Sequence, residues 1–279
     1  KSKQTIFHSE EWENIRYFAK LREEMTEGSV NIMCLILFAY KVHPQYPLIV
    51  AANRDEEYKR KTAPAHFWED HPNILAGRDL EKMGTWMGVT KEGRFSALTN
   101  YRDFSESTEG KRSRGELVVQ ALTDSRHPET FIKMLDDRRD LYPGYNLLIG
   151  DADRLYYYSN RSRERLSLKP GIYGLSNHLL DTPWPKVEKG KKGLEQALHL
   201  PVEKMIPQLF HILSDAEPFP DEKLPDTGIP FELERALSPL YIQMDGYGTR
   251  SSTVLLISDR EVIFIEKGET TKEFQFAID

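Results

Sequence analysis

Cys34 is the one cysteine in 279 residues, and it follows Met33 directly at the head of an apolar run, residues 34–40. A free cysteine is most often a small buried hydrophobe, and by residue type that reading stands. Its position opens a second one. Methionine is trimmed efficiently ahead of a small residue, and loss of everything through Met33 leaves Cys34 with a free α-amine beside its thiol. Such an amine titrates at about pH 7.7 to 8.0, so it accepts a proton near neutrality. One residue then supplies nucleophile and base together.

The next apolar segment ends in Asn53-Arg54-Asp55-Glu56. An arginine here stabilises a thiolate, and a carboxylate holds and orients an ammonium. Asp55 and Glu56 both qualify for the second role, and an ordinary charged turn is the competing reading. Asn100 and Asn177 each close an apparent strand, where asparagine commonly serves turns. Arg250 stands at a strand entry, Trp86 and Trp184 read as core or pocket wall, and His178 has no partner histidine.

Composition excludes several alternatives. The net charge is -6, and the short basic clusters at 59–61 and 161–165 are interleaved with acids, so no nucleic-acid partner is expected. A single cysteine forbids an intrachain disulfide and multi-cysteine zinc sites. The eight histidines show no HExxH pattern, and no metal or cofactor is expected. The longest apolar run is too short to span a bilayer and the first residues lack a signal-like apolar stretch, which points to a cytoplasmic protein. A small-molecule substrate is the expected partner, with a homo-oligomer left open.

Residues 1–32 differ in texture from the rest. Trp12, Ile15, Phe18, Leu21 and Met25 recur at helical spacing, so a helix is predicted outside the main domain of residues 33–279. Those first residues are either a propeptide or a mis-assigned start. Strands are predicted at 34–40 and 48–52, then a long polar connection over 57–83, and further strands at 86–90 and 95–99. Ser113-x-x-Glu116 reads as a capping box opening a helix to about residue 123. A helix over 128–139, strands at 145–150, 155–159 and 172–176, and helices over 185–197 and 201–213 follow. The proline-bearing stretch 215–230 reads as a loop, and strands near 252–258, 261–266 and 273–278 close the chain. Antiparallel groups of strands separated by helices predict an α+β layered fold.

Met33-Cys34-Leu35-Ile36 followed by Asn53-Arg54-Asp55-Glu56 resembles the NRDE family, also called the transport and Golgi organisation protein 2 family. The resemblance extends through Gly84-Thr85-Trp86, Thr99-Asn100-Tyr101-Arg102, Ser113-Arg114-Gly115, Leu175-Ser176-Asn177, Pro183-Trp184-Pro185-Lys186 and Tyr247-Gly248-Thr249-Arg250. It covers residues 33 to about 260, with one departure: Met83 stands where the family usually has glycine. The family in turn resembles N-terminal-nucleophile hydrolases of the choloylglycine hydrolase and penicillin V acylase branch. That implies a four-layer αββα sandwich and an acylase acting on a non-peptide C–N bond, an amide or N-acyl group. The implied catalytic set is Cys34, Arg54, Asp55, Asn100, Asn177 and Arg250, with the Asn177 amide, and Asn100 or a backbone N–H, as oxyanion donors. Trp86 and Tyr101 are expected to touch substrate. The resemblance also carries an alternative, a non-catalytic haem- or ligand-binding or trafficking protein on the same scaffold.

Overall fold

The computed structural model describes residues 34–103 and 105–278; the predicted helix near the amino terminus lies outside them. Two seven-stranded antiparallel sheets form the centre. The first contains β1 (Cys34–Tyr40), β2 (Leu48–Glu57), β10 (Gly171–Leu175), β11 (Gln243–Met244), β12 (Tyr247–Ile257), β13 (Glu261–Lys267) and β14 (Thr271–Ala277). Its order is β10-β1-β2-β12-β13-β14, with β11 on β12. The second runs in sequence order through β3 (Thr62–Phe67), β4 (Ile74–Asp79), β5 (Met87–Thr90), β6 (Phe95–Asn100), β7 (Tyr145–Gly150), β8 (Leu155–Ser159) and β9 (Arg165–Ser167).

Strand alternation decides the layering. Ile36, Phe38, Val50 and Ala52 pack between the sheets against Val89, Phe95, Ala97 and Leu148. Leu35, Leu37, Ile49 and Ala51 point the other way. They meet Val187 and Leu194 of α3 (Pro185–Ala197) and Met205 and Leu209 of α4 (Val202–Leu213). On the far side of the second sheet, Leu98, Leu147 and Ile149 pack on Leu117 and Ala121 of α1 (Gly115–Thr123) and Phe131 of α2 (Pro128–Asp136). The inner strands of each sheet are thus buried on both faces, and the layers are α, β, β, α, as expected. A further short helix, α5 (Phe231–Ala236), follows the proline-bearing loop.

Several elements differ from expectation. The polar stretch 57–83 holds β3 and β4; β3 is an edge strand carrying Pro64, so its sequence lacks the apolar signature of an inner strand. β2 does not stop at Ala52 but carries Asn53 through Glu57 in the sheet, because β12 begins at Tyr247 and pairs with it. Ser113 does not cap α1: the N-cap is Arg114, no side chain bonds the helix end, and Glu116 pairs with Arg112 at 2.7 Å instead.

Met83 sits in the left-handed region with φ 57° and is exposed. That conformation strains a residue with a Cβ and suits glycine. Met83→Gly is therefore expected to raise unfolding free energy by about 0.5 to 1 kcal/mol in urea titrations. A decrease would show that the turn tolerates methionine without strain.

Candidate active site

Cys34 heads β1 opposite Arg54 on β2, and shares the parity of Ile36 and Phe38, facing the space between the sheets. It is 2% exposed. Burial pushes its thiol up to about 12, with the Asp55 and Glu56 carboxylates adding to the effect. The Arg54 charge and a hydrogen bond from the Asp55 backbone amide oppose it. A thiol so raised is protonated at neutral pH and unreactive.

Along β2 the four polar residues divide between the faces. Arg54 and Glu56 face the inter-sheet side, where Arg54 Nη2 lies 3.2 Å from Glu56 Oε2 and Arg60 Nε lies 3.5 Å from it. Asn53 and Asp55 face the α3/α4 layer. Asn53 Nδ2 donates to the carbonyls of Leu213 at 2.8 Å and Leu240 at 2.7 Å, tying helix and loop to the sheet. Asp55 Oδ1 accepts from Thr249 Oγ1 at 2.5 Å, while its buried Oδ2 has no partner among the described residues.

Lys186, in the first turn of α3, is buried and donates to the Leu237 carbonyl at 3.1 Å. Burial lowers its pKa to about 8, opposed first by the Asp55 charge. Burial likewise pushes Asp55 up from 3.8 to about 7, opposed first by Lys186. The folded state therefore holds the Asp55 proton more tightly than the unfolded chain does. The stability due to that acid is full below its ordinary pKa and is lost as pH rises through about 7. Lys186→Met removes the main opposing charge and raises Asp55 further. Its effect on unfolding free energy should become more destabilising by about 1 to 2 kcal/mol between pH 5 and pH 8. A pH-independent difference would show that the two charges do not interact.

Asn177 links the sheets beside Cys34. Its Oδ1 accepts from Cys34 N at 3.3 Å, and its Nδ2 donates to the Asn100 carbonyl at 3.0 Å. Arg102 N donates to the Asn177 carbonyl at 2.7 Å, and Ser176 Oγ donates to the Cys34 carbonyl at 3.1 Å. The ends of β1, β6 and β10 are thus bound together. Asn100, 4% exposed at the end of β6, has a side-chain Nδ2 with no partner among the described residues. A buried donor left unmade costs about 1 to 3 kcal/mol, and such atoms call for a role.

A cavity of about 540 Å³ opens here, walled by Cys34, Arg54, Glu56, Trp86, Asn100 and Arg114. Arg250 borders it too. A β-bulge between Thr249 and Ser251 sends its guanidinium to the carbonyls of Glu57, Tyr58 and Arg60 at 3.0, 3.0 and 2.9 Å, so it clamps the chain leaving β2. Of the residues singled out in the sequence, Cys34, Arg54, Glu56, Asn100, Arg250 and Trp86 share this cavity. Asp55 lies on the other face of β2, and Asn177 holds the Cys34 nitrogen. Tyr101 is not among the cavity walls; its hydroxyl meets His178 Nε2 at 2.9 Å, and His178 Nδ1 meets Thr182 Oγ1 at 2.9 Å. Lys186 and Thr249, which surround Asp55, and Arg114 on the cavity wall did not stand out in the sequence. Each lies inside a motif whose neighbours drew attention first.

Among the described residues no group of three or more His, Cys, Asp or Glu side chains could hold a metal ion. No helix among them is long and apolar enough to cross a membrane.

The sequence matches the family described as Transport and Golgi organisation 2 over residues 33–270. It is 37% identical to the Bos taurus Transport and Golgi organization protein 2 homolog, covering 84% of this chain and 92% of that one. Identity with the Homo sapiens homolog is 36%, over 86% of this chain and 95% of the relative. Among solved structures, the Caenorhabditis elegans ortholog of N-acylethanolamine-hydrolyzing acid amidase superposes with a TM-score of 0.47 at 12% identity. That overlap covers 80% of this chain and 92% of the amidase. A conjugated bile acid hydrolase from Clostridium perfringens gives a TM-score of 0.33 at 10% identity, over 90% and 86% of the two chains.

Proposed function

The chain belongs to the Transport and Golgi organisation 2 family, and for a member with this site we propose a cysteine N-terminal-nucleophile hydrolase that cleaves an amide or N-acyl C–N bond. One observation carries the reading. Asn100 Nδ2, a buried donor, shares the cavity wall with Cys34, and Asp55 Oδ2, a buried acceptor on the other face of β2, belongs to a carboxylate whose charge acts on the Cys34 thiol. Both atoms are without partners among the described residues. The acceptor suits an ammonium and the donor suits an oxyanion.

Cleavage of the peptide bond before Cys34 gives its nitrogen the hydrogens of an amine. One stays on Asn177 Oδ1, and Asp55 Oδ2 accepts another, which orients the group. The amine takes the thiol proton, and the sulfur forms a bond to the amide carbonyl carbon as the carbonyl electron pair moves to oxygen. Asn100 Nδ2 donates to that oxyanion. The C–N bond then breaks, the amine returns its proton to the leaving nitrogen, and a thioester remains. Water cleaves the thioester, releasing the acid and restoring the thiol. Asn177, whose side-chain donor already serves the Asn100 carbonyl, positions the Cys34 nitrogen in this scheme and leaves the oxyanion to Asn100.

A panel of N-acyl amides offered to the chain beginning at Cys34 tests the proposal, with acyl adducts sought by mass spectrometry. An acyl thioester on Cys34, absent in Cys34→Ala, is expected. Equal hydrolysis by both proteins would remove the nucleophile.

A further inference from the structure

We propose that Arg114 is the anion anchor of this cavity and that the substrate carries a carboxylate in addition to its scissile amide; the second clause rests on the hydrolase reading. Each of the other arginines bordering the cavity has a carboxylate partner, although that of Arg250 is the exposed Glu269, and the two bordering lysines, Lys82 and Lys111, stand on its exposed rim. Arg54 has Glu56 at 3.2 Å, Arg78 has Asp70 at 2.5 Å, and Arg112 has Glu116 at 2.7 Å. Arg60 has Asp79 at 2.6 Å and Arg250 has Glu269 at 3.7 Å. Arg114 is different. No carboxylate among the described residues lies within ion-pair distance, and of its five N–H donors only one is engaged, by the Gly144 carbonyl at 3.0 Å. Burial lowers its pKa to about 10, with Glu106 and Cys34 opposing, so it stays charged at neutral pH.

Its place on the wall is held by the backbone. A Cβ on Gly84 would come within 2.6 Å of the Gly115 carbonyl carbon, so two glycines let these segments touch, and Thr85 N donates to the Gly115 carbonyl at 3.2 Å. Arg114 is also the N-cap of the nine-residue helix α1, whose amide end has no side-chain cap and adds partial positive charge. Asn100 Nδ2, buried and unpartnered, lines the same cavity and supplies a second, independent donor for a bound molecule.

A carboxylate matches the Arg114 guanidinium charge for charge and in the planar geometry that suits its fork, while Lys82 and Lys111 lie on the exposed rim, where water screens them.

Titration calorimetry on the full chain carrying Cys34→Ala, which cannot turn over, tests the anchor apart from the chemistry. Two probe series place the carboxylate on either side of the amide: N-acylglycines of increasing acyl length, and monoamides of dicarboxylic acids. Each is paired with its neutral carboxamide twin, and phenyl phosphate is included. One carboxylate series is expected to bind at least about 10-fold tighter than its twins. Arg114→Gln should erase that preference, and Arg114→Lys should keep part of it. Circular dichroism checks that Arg114→Gln folds; should it not, loss of bidentate geometry in Arg114→Lys carries the test through a reduced preference. Equal binding of the twins, no saturable binding by either series, an unchanged preference in both Arg114 variants, or tighter binding of phenyl phosphate would overturn the assignment. Selective binding without hydrolysis by the Cys34-initiated chain would leave Arg114 in place and remove the hydrolase reading alone.

Discussion

A chain beginning at Cys34 is expected to hydrolyse its amide substrate about 100- to 10,000-fold faster than one retaining Met33, the range a positioned general base contributes. The reason is local. With a peptide bond on its nitrogen, Cys34 has no internal base, and its buried thiol is held near 12 by burial and the neighbouring carboxylates. Freeing the nitrogen puts a proton acceptor within the same residue and, in its ammonium form, a positive charge that favours the thiolate. Two measurements check this. Initial rates on the two chains give the ratio, and iodoacetamide labelling of Cys34 at pH 7.5 reports thiolate access without any substrate. Fast labelling of both chains alike would mean that the blocked nitrogen does not control the sulfur. Cys34→Ala in the shorter chain should fall to background hydrolysis.

Asn100→Ala should lower kcat by about 100- to 1000-fold, the cost of losing one oxyanion donor, with a smaller change in KM. Stability should hold or rise slightly, since the substitution deletes a buried N–H donor that is unpartnered among the described residues. Asn177→Ala should behave differently. It removes the bridge from Cys34 N to the Asn100 carbonyl, so an unfolding penalty accompanies the loss of rate. Steady-state kinetics and urea titrations on the two variants separate donor from positioner. A pattern in which Asn177→Ala keeps full stability while Asn100→Ala loses it would reverse the two assignments.

Much of the framework was legible because it depends on neighbours in sequence. The apolar run from Cys34 to Tyr40, the turn after it and the run from Leu48 predict the β1–β2 hairpin that forms. Pro128 and Pro185 mark helix starts where α2 and α3 begin. β3, β9 and α5 were not legible: they are short or lie at sheet edges, where exposed faces remove the apolar periodicity. Cys34 and the Asn53 to Glu56 segment stood out as chemistry from residue type and order.

Amino-acid order by itself determined the strand periodicities, the layered class and the presence of one thiol ahead of an arginine–acid pair. Tertiary structure alone decided which face each of those residues takes. The extension of β2 through Glu57, forced by pairing with β12, sends Arg54 and Glu56 into the cavity and Asp55 toward Lys186. It also decided that Asn177 holds a nitrogen while Asn100 keeps an unpartnered amide, and that Arg114 among the bordering arginines lacks an acid. Alternation and capping are set by residues a few positions apart. Hydrogen bonds here join positions 34, 177 and 100, and the cavity wall brings 114 beside them, which only the packing of two sheets achieves.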